Sequence, residues 1–297
     1  MRSNSGQSRN ELRYYIAAFQ VLPDGTRIAV ARDGIYRAGP GETAMTRTFR
    51  YSRGSRPLNL AVDGNRVLFG EYGELESCKA RVYVSDDGGK TFNVGYQFPL
   101  GAVRHIHSVI VDPYRDHYWT LVGDYGRQAG FAALSKDMKT LDWVTRGDQN
   151  YRAVGAINMP DRFVYGTDSD QERNFIVTMD KQSGQVERLL EVEGSSLYAG
   201  SFGPIYAIST CVEPNSACPS RECALYISTN GSDWKRTVVH RKDRFPHTYF
   251  QFGTIVLPYS CYAEPRGMYS GQAIQGADDA AFLLEWEGNV PPKAKQP

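Results

Sequence analysis

Ser85-Asp86-Asp87-Gly88-Gly89-Lys90-Thr91-Phe92 is the stretch whose reading decides the fold of this 297-residue chain. Its chemistry is that of a tight hairpin. The Asp87 carboxylate can accept hydrogen bonds from turn amides, Gly88 and Gly89 supply positive φ, and Phe92 opens the return strand with a ring that packs between sheets. The hairpin sits in a unit spanning about residues 57 to 99, whose second strand reads as Arg66-Val-Leu-Phe-Gly-Glu71.

Outward from that unit, short β-branched and aromatic runs recur between Gly, Asp, Asn and Pro turns, with no helical periodicity longer than two turns. The period is roughly 45 residues, the length of a four-stranded propeller blade. The first unit runs from Tyr14 through Arg27–Arg32 and Gly34–Ala38 to Phe49. The third runs from Arg104 to Asp148, with Tyr118–Asp124 as second strand and a decayed hairpin at Ser135-Lys-Asp137 and Asp142-Trp143. The fourth, 151–194, holds Phe163–Asp168 and the turn Asp180–Gly184. The fifth, 195–245, holds Pro204–Thr210 and the shortened turn Ser228-Thr-Asn-Gly-Ser-Asp-Trp234; the sixth begins near His247 and ends with Ala281–Trp286. The expectation is one all-β domain over 1–297, a six-bladed β-propeller of four-stranded antiparallel blades, with five or seven blades as the alternatives. Residues 1–12 and 290–297 are expected to be flexible ends. The ring would close by pairing Arg13-Tyr-Tyr-Ile-Ala17 with the last blade, which removes exposed sheet edges.

The Ser85–Phe92 segment matches the Asp-box, Ser-x-Asp-x-Gly-x-Thr-aromatic, at every defining position. The chain thereby resembles the Asp-box (BNR-repeat) propeller superfamily, which includes sialidases and other glycan-active proteins. The resemblance implies that Ser85, Asp87 and Thr91 are scaffold residues on the face away from the ligand. The Phe/Tyr-Arg-Ile-Pro segment that opens sialidase catalytic domains is absent: the corresponding region is Tyr14-Tyr-Ile-Ala-Ala-Phe19. Fold and glycan theme therefore carry over, and the sialidase catalytic assignment does not.

In such propellers the ligand face is built by loops after the second strands and loops entering the innermost strands. The former hold Glu71-Tyr72, Asp124-Tyr125, Asp168 and Glu213; the latter hold Arg104-His105-Ile-His107, Tyr151-Arg152 and His247-Thr-Tyr249. In a strand His105 and His107 share a face, and Arg104 takes the other unless the strand begins after it. Such imidazoles serve as acid and base, as metal ligands, or as donors to a sugar carboxylate. One His capping the blade and one filling a polar channel is the plain alternative. Acids after a strand can flank a sugar for hydrolysis, or simply satisfy turn amides and pair with Arg127, Arg152 and Arg173. The candidate catalytic set is His105, His107, Glu71, Asp124 and Asp168. The substrate-binding set is Arg104, Tyr72, Tyr125, Arg152, Glu213, His247 and Tyr249. No cofactor is required, with a divalent metal at the His105/His107 rim as the open alternative.

Lys and Arg number 34 against 33 Asp and Glu, a net charge of +1 that offers no polybasic field for nucleic acid. No apolar run is long enough to cross a membrane as a helix. Residues 1–13 lack a leader's apolar region, so the chain reads as cytoplasmic if complete, and as secreted or periplasmic if a leader has been removed. Five cysteines, three of them at 211, 218 and 223, fit one disulfide or a reduced loop and no standard zinc pattern. The expected function is cleavage of an acidic glycan by hydrolysis or β-elimination; the alternative is a non-catalytic glycan- or protein-binding propeller. Oligomeric state is left open.

Overall fold

The structure, a computed structural model, describes residues 16–52, 56–73, 77–213, 217–247, 249–258, 266–287 and 290–295, with backbone alone for 266, 285–287 and 290–295. Two compact units divide the chain, one over 13–152 and one formed mainly by 153–297. Each is built from antiparallel meanders of four consecutive strands.

In the first unit the meanders are β1 (Ala18–Val21), β2 (Arg27–Ala31), β3 (Gly34–Ala38) and β4 (Thr46–Arg50); β5 (Ala61–Asp63), β6 (Arg66–Gly70), β7 (Arg81–Ser85) and β8 (Asn93–Gln97); and β9 (His105–Val111), β10 (His117–Gly123), β11 (Gly130–Ser135) and β12 (Leu141–Arg146). The second unit holds β13 (Ile157–Asn158), β14 (Arg162–Gly166), β15 (Asn174–Asp180) and β16 (Val186–Val192); β17 (Ser196–Phe202), β18 (Ile205–Val212), β19 (Glu222–Ser228) and β20 (Lys235–Arg241); and β21 (Gly253–Val256), β22 (Arg266–Gln272), β23 (Ala281–Glu287) and β24 (Val290–Lys295). The last two meanders are joined where Cys211 and Val212 pair with Thr254 and Gly253.

Second strands such as Arg27-Ile-Ala-Val-Ala31 are apolar on both faces because both are covered: Ile28 to Ala31 are all buried. Fourth strands are mixed and largely open, as in Thr46-Arg-Thr-Phe-Arg50 and Lys235–Arg241, and their charges protect the sheet edge. In each of the six meanders the pairing of third and fourth strands slips by one residue. Such bulges strengthen the local twist. In the first unit one core gathers Ile28, Val30, Ile35, Val67 and Phe69, and another gathers Leu68, Val82, Phe98, Ile106 and Tyr118. The second unit has its own cores around Ile176, Ile208 and Tyr226, and around Phe202, Leu225 and Tyr269.

The hairpin after β7 forms as its residues dictate. Gly88 and Gly89 have φ of 70° and 81°. Asp87 Oδ1 accepts from Ser85 Oγ (2.7 Å), Lys90 N (3.0 Å) and Thr91 N (2.9 Å), while Oδ2 accepts from Thr91 Oγ1 (2.6 Å). The same closure recurs at Ser135/Asp137 after β11 and at Ser228/Asn230 after β19. Burial alone would raise the Asp87 pKa, but bonds from Thr91, Ser85 and Lys90 outweigh it and lower it to about 2. A depressed carboxylate contributes stability that is whole above its unfolded pKa of 3.8 and is lost as pH falls toward 2. Asp87→Ala should therefore cost about 1 kcal/mol at neutral pH, allowing for solvent screening, and less near the Asp87 pKa. Urea melts at both pH values check this; equal losses would show that the carboxylate is not the source.

β1 pairs with β2 of its own meander; of the segment Arg13–Ala17 expected to close the ring, residues 13–15 lie outside the described residues. The C-terminal segment expected to be a flexible end forms β24 over Val290–Lys295, whereas residues 1–12 lie outside the described residues. Of the two readings of the cysteine loop, the structure has the reduced one: Cys211, Cys218 and Cys223 are buried free thiols. Burial, aided by the nearby Glu213 and Asp168 charges, pushes the Cys211 thiol well up, and burial pushes Cys223 up to about 12. Cys261 lies outside the described residues.

Candidate functional site

The site belongs to the first unit and is assembled at the start of β9 and the end of β10. The strand begins at His105, which frees Arg104 from the alternation. Pairing with β10 then slips: Leu121 faces Ser108 and Val122 faces Ile106, so His107 is the extra residue of a bulge. A bulge re-aims its side chain. Here it brings His107 Nε2 to 2.9 Å from His105 Nε2. Gly123 makes the arrangement possible, because a Cβ there would lie 2.2 Å from His107 Cε1.

Asp124, just beyond β10, is where the cluster converges. Its Oδ1 lies 3.2 Å from His105 Nε2 and 3.1 Å from His107 Nε2, and its Oδ2 accepts from Arg104 at 2.9 Å. Arg152 Nε stands 3.5 Å from Oδ1, and Gln149 Nε2 donates to the Asp124 carbonyl at 2.9 Å. His105, His107, Asp124 and Arg152 are all buried. Burial would raise the Asp124 pKa, but bonds to and charge from His105 and His107 hold it far below the ordinary carboxylate value.

Proton placement follows from one bond. His105 Nδ1 lies 2.9 Å from the Gly73 carbonyl, which only accepts, so Nδ1 carries the proton. His105 Nε2 then stands within hydrogen-bond distance of both Asp124 Oδ1 and His107 Nε2.

Aromatic rings flank the cluster. Tyr72 packs on His105 at 4.5 Å between centroids and lies 6.1 Å from His107. Tyr125 lies beneath two guanidiniums, Arg104 at 5.6 Å and Arg152 at 5.3 Å.

Of the residues singled out in the sequence, His105, His107, Asp124, Arg104, Arg152, Tyr72 and Tyr125 are thus brought together. Glu71 is adjacent in the chain and buried; its Oε1 accepts from Tyr83 OH at 3.3 Å, and its backbone carbonyl accepts from Ile106 N. Asp168, Glu213, His247 and Tyr249 belong to the second unit. There Asp168 is buried and bears with Glu213 on the Cys211 thiol, His247 stacks on Phe252 with centroids 5.7 Å apart, and Tyr249 is 64% exposed. Sequence reading missed Gln149 and the Gly73 carbonyl. Neither titrates, and each acts through a hydrogen bond that only folding creates.

No protein-family model and no curated protein matches the chain. Solved structures do. The GH74 enzyme of Niastella koreensis aligns over 94% of this chain at 12% identity and a TM-score of 0.60, and this chain spans about half of that one, 46%. An oligogalacturonate lyase in complex with manganese aligns over 94% of this chain and 76% of its own, at 10% identity and a TM-score of 0.59. The β-propeller domain of the Trilobed protease from Pyrococcus furiosus aligns over 95% and 83%, at 11% identity and a TM-score of 0.54. The fold is a β-propeller. At such identities the likeness extends to the fold and no further.

Proposed function

We propose that this propeller acts on an acidic carbohydrate by β-elimination at the His105/His107/Asp124 cluster. The observation that carries the reading is the gathering of two imidazoles and two guanidiniums round one buried carboxylate, with His105 Nε2 directed into the group. Two guanidiniums against one carboxylate leave a positive remainder in a poorly hydrated place, which favours an anionic ligand such as a uronate. His105 Nε2 would take the proton α to the uronate carboxylate. The glycosidic C–O bond breaks as the new C=C bond forms, and the leaving oxygen takes a proton from Tyr72 or Tyr125. Arg104 and Arg152 would hold the carboxylate and stabilise the charge that develops on it.

Hydrolysis by paired carboxylates has less support. It needs an acid and a base that face the sugar, whereas Asp124 is bound by arginine and histidine and Glu71 accepts from Tyr83. The Arg104–Asp124 pair also favours a second reading, a non-catalytic acidic-glycan binder in which Asp124 positions the cations. The Ser-x-Asp/Asn turns after β7, β11 and β19 support kinship with the Asp-box propellers, and the manganese-bound oligogalacturonate lyase of like fold supports the acidic-sugar reading.

A divalent metal fits the same donors. His105 Nε2, His107 Nε2 and Asp124 Oδ1 lie 2.9, 3.1 and 3.2 Å apart, about the separation of ligand atoms round an ion bound at about 2.1 Å. The Gly73 carbonyl fixes the His105 tautomer as a ligand needs, and two imidazoles with a carboxylate suit zinc or manganese. When bound, the ion would neutralise the substrate carboxylate and so acidify the α-proton.

The test is incubation with polygalacturonate, alginate, hyaluronate and neutral glucans, with and without manganese or zinc, reading reducing ends and the ultraviolet absorbance of an unsaturated uronate. Both signals together, abolished by His105→Ala, are expected. Reducing ends alone would overturn elimination in favour of hydrolysis. Binding with neither signal would leave the non-catalytic reading.

A further inference from the structure

The second unit carries an exposed aromatic loop between β20 and β21. Phe245 is 45% exposed, Tyr249 64% and Phe250 40%. The Phe245 and Phe250 rings lie 4.9 Å apart at 39°, and the Arg244 guanidinium covers the Phe245 ring at 5.6 Å. The loop is pinned at its base. Buried Lys242 bonds to Asp243 Oδ1 at 2.5 Å, the same oxygen accepts from Phe245 N at 3.0 Å, and Asp243 N donates to the Ala273 carbonyl at 2.9 Å. Tyr249 N and Phe250 N both donate to the Pro246 carbonyl, at 3.2 and 3.0 Å, which closes the turn that carries them.

Large apolar rings held in water on an anchored loop are a cost that packing does not explain, and such patches mark binding surfaces. We propose that this loop is a second carbohydrate-binding platform, which stacks sugar rings of an acidic polysaccharide on Tyr249, Phe245 and Phe250 and pairs their carboxylates with Arg244. The reading rests on the acidic carbohydrate proposed above. Its chemistry is complementary to that ligand: an aromatic face accepts the apolar C–H face of a pyranose, and a guanidinium fork accepts a carboxylate in two bonds. In the run Arg241-Lys-Asp-Arg244, Lys242 is buried and paired with Asp243, which leaves the exposed Arg241 and Arg244 as its outward positive charge in a chain whose net charge is only +1. Three rings are also too small a surface for a stable protein partner, which buries about 800 Å² per side.

The experiment is affinity electrophoresis of the full chain through gels containing polygalacturonate, with sedimentation on phosphatidylserine vesicles alongside. Tyr249→Ala, Phe245→Ala and Arg244→Gln are compared with His105→Ala. These loop side chains are exposed, so folding is expected to survive, and circular dichroism checks it. Loss of about tenfold in polymer affinity for each aromatic variant, the scale of one stacking contact, is the expected result. Loop variants that migrate like wild type while His105→Ala is weakened would overturn the platform and leave the site reading standing. Weakened loop variants beside an unaffected His105→Ala would uphold the platform, and loss of the unsaturated-uronate signal in His105→Ala tests the site reading separately. Vesicle binding that the loop variants abolish, with no retardation by polygalacturonate, would overturn the platform in favour of a lipid surface.

Discussion

Asp124→Ala is expected to destabilise the protein by about 3–5 kcal/mol, the usual consequence of stranding buried partner charges, and to abolish the proposed activity. Arg104, His105, His107 and Arg152 all meet this carboxylate, and the Arg152 side chain is only 8% exposed. With Asp124 gone, Arg152 keeps its burial and loses a counter-charge. Asp124→Asn keeps the shape and one acceptor, so it should cost less stability while changing the pH profile. The sign follows from the depressed Asp124 pKa: its contribution is whole above the unfolded value of 3.8 and is lost as pH falls below it. Wild type should therefore lose stability more steeply on acidification than Asp124→Asn. Thermal and urea melts across the acid range measure both effects. Parallel acid limbs in the two proteins would show that the carboxylate is not ionised in the folded state.

Gly123→Ala should nearly eliminate the proposed activity through a single methyl group. A Cβ at this position would stand 2.2 Å from Cε1 and 2.7 Å from Nε2 of His107, inside contact distance. Ring or strand must move, at about 1–3 kcal/mol for overpacking. A shift of about 1 Å in a catalytic group costs on the order of a hundredfold in rate. Gly70→Ala is the instructive control. Its Cβ would lie 2.3 Å from Ile106 Cγ2, so it overpacks the same neighbourhood through an apolar side chain. Comparable destabilisation is expected from both variants, with the larger loss of kcat in Gly123→Ala. Equal kcat losses would mean that general loosening of β9, rather than displacement of His107, is responsible.

These two glycines also show what can be read from a sequence. Phe-Gly-Glu-Tyr-Gly and Val-Gly-Asp-Tyr-Gly are visible as repeated text, and a glycine closing a second strand suggests close approach. The text does not say what approaches. At Gly70 it is an isoleucine of β9; at Gly123 it is the histidine of the candidate site.

Local rules determined the rest of what the sequence alone could provide. The Ser85–Phe92 hairpin, the doubly apolar second strands and the polar outer strands follow from turn chemistry and from alternation within a few residues, so they are written in adjacent positions. The placing of acids after second strands and of His105 and His107 before an innermost strand is local in the same sense. Only the tertiary structure decided that His107 occupies a bulge, that Arg104 and Arg152 share the carboxylate of Asp124, that Glu71 turns to Tyr83, and that the Gly73 carbonyl sets the His105 tautomer. Register slips and hydrogen bonds between residues 12 to 32 positions apart are chosen by competition among all the packed strands at once, and no short stretch of sequence encodes that competition.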